Sequence, residues 1–152
     1  MKNKSVTAGI LMSLVMPFQT SLQGAALVDQ EQPVIDVTVG GLAIGGFYSQ
    51  KLAQVVTAGR SGLLTDVRLP IGCGGAANLR VEIQSVTNGV PDGSVLAVAS
   101  FAGSDLPPFF PTPGVVTLRS FNLSAPPPVE AGRQFAIVLT ATGTSARLCL
   151  PQ

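Results

Sequence analysis

The chain has 152 residues, nine Lys and Arg against eight Asp and Glu, and no histidine. Without histidine, Ser-His-Asp and Cys-His nucleophilic catalysis, imidazole base chemistry and the usual zinc sites are all excluded. The near-zero net charge argues against a nucleic-acid partner, which needs a basic patch.

Lys2 and Lys4 precede an apolar run from Val6 to Phe18 and then the small residues Gly24-Ala25-Ala26. The run is too short to span a bilayer as a helix, and its order of basic, apolar and small regions is that of a secretory signal peptide. We therefore expect cleavage after Ala26, a single mature domain over residues 27–152, and a secreted or periplasmic location. Loss of Lys2 and Lys4 leaves seven basic against eight acidic residues. No later apolar run is long enough for stable membrane insertion.

Downstream the chain reads as short strands punctuated by glycine and proline, with no helix. Val34–Val39 is a first strand candidate, Gly45-Gly46-Phe47-Tyr48 a loop, and Leu52–Thr57 a second strand. Leu63, Thr65, Val67, Leu69 and Ile71 alternate with more polar neighbours, which predicts a strand with one buried face, and Pro70 places its end at a sheet edge. Gly72–Ala77 reads as a flexible connection. Leu79, Val81 and Ile83 then face inward while Arg80, Glu82 and Gln84 face water. A turn over Asn88–Ser94 joins this strand to an antiparallel partner, Val95–Phe101.

Gly103–Gly114 reads as a long irregular loop. Val115–Leu123 is the next strand, and its shift of apolar phase predicts a bulge near Arg119-Ser120. Pro126-Pro127-Pro128 keeps the chain extended, and Ala131-Gly132 supplies a turn. Phe135, Ile137 and Leu139 then alternate with Ala136, Val138 and Thr140. Both faces are mainly apolar, so this is the central strand around which the others organise. Arg147–Leu150 is a short final strand. About eight short strands spaced by turns predict an all-β fold, an antiparallel β-sandwich of jelly-roll type.

Val129-Glu130-Ala131-Gly132 followed by Phe135 in an aliphatic strand resembles the closing part of a β-sandwich module that recurs in secreted bacterial proteins, a carbohydrate-binding-like or choice-of-anchor-type domain. Leu52–Gly59, Ser61–Val67 and Gly93–Ala97 match it in the same order, so the resemblance covers roughly residues 50–140. It implies the sandwich fold and a binding role, and says little about site residues. The resembled module often continues further, so this copy is expected to lack a final strand or to be cut short.

The candidate ligand-binding residues are Phe109 and Phe110 in the proline-rich loop Leu106–Pro113, with Phe47 and Tyr48 second. Rigidly held aromatic rings stack on sugars or partner side chains, although the same rings could simply cover the open end of a sandwich. Cys73 and Cys149, even in number in an exported chain, are expected to form a disulfide, the alternative being two separate buried thiols. The carboxylates are dispersed: Asp66 and Glu82 read as solvated strand residues. Asp92 and Asp105 could contribute to calcium binding, but turn chemistry explains Asp92 without a metal.

No cofactor is expected. The leading reading is a secreted, non-catalytic module for carbohydrate or a cell-surface component. A structural subunit of an extracellular assembly and a carboxylate-only hydrolase are the alternatives.

Overall fold

The computed structural model describes residues 27–30, 44–45, 50–73, 78–106, 118–142 and 148–151. Among these lie ten strands: β1 (Ile44–Gly45), β2 (Lys51–Thr57), β3 (Gly62–Leu63), β4 (Asp66–Cys73), β5 (Asn78–Thr87), β6 (Val90–Phe101), β7 (Leu118–Asn122), β8 (Pro128–Val129), β9 (Gln134–Thr142) and β10 (Leu148–Pro151). A single 3-10 turn covers Gly103–Asp105. The expected first strand, Val34–Val39, lies outside the described residues.

Every pairing is antiparallel, and the pairs nest: β1 with β10, β2 with β9, β3 with β8, β4 with β7, β5 with β6. The chain is thus one long two-stranded ribbon with the β5–β6 hairpin at its tip. Two further ladders, β10 with β4 and β5 with β9, fold it into two four-stranded sheets. Their orders are β1-β10-β4-β7 and β2-β9-β5-β6. The short β3–β8 pair is one of the corners where the ribbon passes between the sheets, here from β2–β9 to β4–β7. Backbone bonds continue across it, from Ala58 N to Arg133 O (2.9 Å), Leu64 N to Pro127 O (3.0 Å) and Leu123 N to Thr65 O (2.9 Å).

Buried side chains from both sheets form one core. Ile44, Val67, Ile71 and Phe121 come from one sheet, and Leu79, Val81, Ile83, Ala97, Ala99, Phe135 and Leu139 from the other. Phe101 and Phe121 meet edge to face across it, with ring centroids 4.7 Å apart. The result is an all-β, sandwich-like architecture, as the spacing of strands and turns predicts.

β9 is the central strand expected. It pairs with β2 on one side and β5 on the other, and Phe135, Ala136, Val138 and Leu139 are buried from its two faces. The turn before it closes through Arg133 N to Glu130 O (3.0 Å), with Gly132 at φ 81. That left-handed backbone is open to glycine without a Cβ penalty.

Five expectations are corrected. The turn after β5 is not a seven-residue linker but the two residues Asn88-Gly89, at φ 54 and 77, with Thr87 opposite Val90. Positive φ at both central residues gives the type I′ geometry whose twist matches its strands. The strand then runs straight through Pro91, Asp92 and Gly93, which β6 tolerates because it is an edge strand.

The bulge near Arg119-Ser120 is absent: β7 pairs with β4 in unbroken register, and the register shifts fall between β5 and β6 instead. Leu118–Ser120 are exposed and Phe121 alone in that strand is buried, so the apparent change of phase marks the strand's exposed start. The predicted strand from Leu63 to Ile71 is broken at Leu64-Thr65 by the corner, leaving Leu63 65% exposed while Leu64 packs on the core.

Pro70 sits inside a four-stranded sheet rather than at its edge. It is placed where β4 leaves β7, its partner through Leu118, and before β10 joins at Ile71, so a missing N–H is tolerated. Finally, Gly72 and Cys73 belong to β4 and not to a loop.

Candidate functional site

Of the residues singled out from sequence, Phe47, Tyr48, Phe109 and Phe110 lie outside the described residues. The expected leader, residues 1–26, does too. Cys73 and Cys149 are described through their backbones, and the register places them directly opposite each other on β4 and β10.

The described residue pattern with the most chemical content is the outward face of the sheet β2-β9-β5-β6. Leu79, Val81 and Ile83 of β5 point into the core, so Arg80, Glu82 and Gln84 point away from it. Register aligns them with their neighbours in rows. Lys51, Thr140, Arg80 and Ser100 make the first, Ala53, Val138, Glu82 and Val98 the second, and Val55, Ala136, Gln84 and Val95 the third. A charged and polar ridge along β5 is therefore flanked by short or apolar side chains on β9 and β6, and by Lys51, Ala53 and Val55 on β2 beyond β9.

This ridge is not the solvated surface expected from alternation. Gln84 is only 8% exposed and the Glu82 side chain 14%, and Ala136 and Val138 beside them are buried. The physical reason lies across the strands. Short side chains at Ala136 and Val138 let the longer ones on β5 lie down against the sheet rather than stand in water.

The polar groups satisfy one another as they do so. Arg80 Nε donates to Glu82 Oε1 at 2.5 Å, and Gln84 Nε2 donates to Glu82 Oε2 at 2.5 Å. The hydrogen bond from Arg80 holds the Glu82 carboxyl below its ordinary value; Gln84 and the charges of Arg80 and Lys51 push the same way against partial burial. Glu82 is thus an anion with both oxygens engaged, at the centre of a ladder built on rigid strands.

Arg80 is the ladder's wet end, its side chain 42% exposed. A guanidinium carries five donors, and among the described residues only Nε has a side-chain partner. With the exposed Lys51 in the same row, it offers directed donors beside an ordered carboxylate. Such a surface can bind hydroxyl-rich or anionic groups by hydrogen bonding.

Asp92, Asp66 and Asp29 are engaged locally. Asp92 accepts from Ser85 Oγ (2.6 and 2.8 Å), Thr87 Oγ1 (3.0 Å) and Ser94 N (2.8 Å), and these bonds, Ser85 first, lower its pKa to about 2. Asp92 lies on β6 rather than in the turn, and hydrogen bonds from both strands of the hairpin engage its carboxylate. Asp66 pairs with Arg68 at 3.3 Å, and Asp29 accepts from Gly59 N at 2.9 Å. Among the described residues no three His, Cys, Asp or Glu come together to hold a metal ion.

No protein-family model, curated protein or solved structure matches the chain. The functional reading rests on its own residues.

Sequence reasoning missed the ladder because it treated outward-facing as solvated. The signal was present in the alternation of long polar residues on one strand with Ala and Val on the strand beside it. Only the register makes them neighbours.

Proposed function

We propose that the chain is an exported, non-catalytic β-sandwich module of jelly-roll type that binds a hydroxyl-rich surface ligand, carbohydrate being the leading class. The observation that carries this reading is the half-buried Arg80–Glu82–Gln84 ladder on the outward sheet face. Hydrogen-bonding groups fixed on strands and already partly dehydrated lose little further freedom on binding, which is the physical requirement for recognising weakly held polyols.

The jelly-roll assignment is supported by the nested pairing of the strands, since that fold is an antiparallel ribbon wrapped on itself into two sheets. Export is supported by the residue order at the N-terminus and by the resemblance to secreted bacterial modules. The non-catalytic reading is supported by Glu82 and Asp92, whose pKa values move down. A carboxylate-only hydrolase needs one carboxyl held protonated, a shift in the opposite direction.

A glycan array probed with the purified chain tests the binding role. The wild type is compared with Arg80→Ala and with Phe109→Ala/Phe110→Ala, each checked for native far-ultraviolet circular dichroism. Binding lost only in Arg80→Ala puts the site on the sheet face, and binding lost only in the double variant puts it on the proline-rich loop. N-terminal sequencing of chain recovered outside the cytoplasm of a bacterial host tests export, with Leu27 expected as the first residue.

The assembly reading is favoured by a different observation. β6 is a twelve-residue edge strand on which Val90, Val95 and Leu96 are exposed. An apolar edge invites pairing with another strand. Absence of any glycan signal, together with concentration-dependent oligomers in light scattering, would transfer the proposal to that reading.

A further inference from the structure

The two cysteines occupy one rung of one ladder. Cys149 of β10 lies between Ile44 of β1 and Cys73 of β4, each its direct antiparallel partner. Directly opposed residues in antiparallel strands have Cα atoms about 4.5 or 5.5 Å apart, according to the type of pair. Both separations fall within the about 4.4–6.8 Å that a disulfide spans. Ile44, the third residue of that rung, is fully buried.

We infer that Cys73 and Cys149 form an intramolecular cross-strand disulfide that staples the C-terminal strand β10 into its slot between β1 and β4. The pairing of β10 with β4 covers only Cys149–Pro151 against Ile71–Cys73, and β1 contributes two residues on the other side. So short a strand is weakly held by ladder bonds alone. A covalent rung to β4 fixes it across that short ladder.

Formation removes one hydrogen from each thiol. The two electrons and two protons pass to an external disulfide of the glutathione or dithiol–disulfide class, which leaves as two thiols. In the cell this step rests on the export reading, because only an oxidising compartment supplies that acceptor. The test separates the two.

Full-length chain is equilibrated, folded, in a glutathione buffer rich in the oxidised form, then unfolded and alkylated without reductant. Intact mass should show no alkyl groups, and two after prior reduction. Trypsin should yield Leu69–Arg80 linked to Leu148–Gln152, the peptides bounded by Arg68, Arg80 and Arg147 that carry the two cysteines. A Cys73→Ser variant, with no second thiol to displace it, should carry either one glutathione or one alkyl group. Hydrogen exchange at residues 148–151 should be slower in the oxidised chain than in the reduced one.

Two alkyl groups, a mixed disulfide with glutathione, or a linked dimer in the oxidised wild type would each overturn the inference. A chain that forms the bond in buffer but keeps residues 1–26 in the host would leave the disulfide standing and remove the export reading.

Discussion

Replacing Phe121 by alanine should be among the most damaging single changes in the chain. Phe121 is fully buried on β7, pairs in register with Val67, and meets Phe101 of the opposite sheet edge to face. Truncation of a buried phenylalanine costs about 3–5 kcal/mol, combining lost transfer free energy with the cavity left behind. Of that, roughly 1 kcal/mol belongs to the aromatic pair. β7 is an edge strand and can relax inward, so about 3 kcal/mol is the better figure, equivalent to a Tm lowered by roughly 10 °C in a domain of this size.

Phe121→Leu retains most of the buried volume and loses the pair, for about 1–1.5 kcal/mol. Leu118→Ala on the same strand, at a half-exposed position, should cost less than about 1 kcal/mol. Urea unfolding followed by circular dichroism, with m-values compared, measures all three. If Phe121→Ala lowered stability by less than about 1 kcal/mol at unchanged m, the two sheets would not share a core at that position.

Gly132 isolates a backbone effect, because an added Cβ would meet nothing within 4 Å and the residue sits at φ 81. Gly132→Ala should therefore cost about 1–2 kcal/mol from conformation alone, and Gly62→Ala, also open but without the positive φ, close to nothing in the same melts. Asp92 has its folded pKa lowered to about 2, so the stabilisation it gives the β5–β6 hairpin is complete above the unfolded value near 4 and is lost as pH falls through about 2. Nuclear magnetic resonance titration should show the Asp92 carboxyl and the Ser94 amide moving together with a midpoint near 2. A midpoint near 4 would mean that the four hydrogen bonds are not made in solution.

How much of this was legible in the sequence depends on how local the deciding forces are. The β5–β6 hairpin was visible because Asn88-Gly89 encodes positive φ within two residues, although the abundance of further turn formers made the turn look longer than it is. The centrality of β9 was visible because a strand apolar on both faces has to be covered on both. The break at Leu64-Thr65 was not, since Leu63 to Ile71 alternates without interruption and the break is imposed by pairing with Pro127–Val129, more than sixty residues away. The dry ladder was hidden for the same reason. Whether Glu82 stands in water or lies against the sheet is decided by Ala136 and Val138 on a neighbouring strand, and alternation fixes faces without fixing neighbours.

The proposed binding face is tested most directly by titrating the full-length chain with a glycan identified on the array, using isothermal calorimetry for the wild type, Arg80→Ala and Lys51→Ala. The account predicts that Arg80→Ala weakens binding at least tenfold, about 1.4 kcal/mol or more, and that Lys51→Ala weakens it less; Lys51→Ala should be as stable as a surface substitution allows, and Arg80→Ala folded but less stable because Glu82 loses a partner. Unchanged affinity in a correctly folded Arg80→Ala chain would contradict it and remove the sheet face as the binding site.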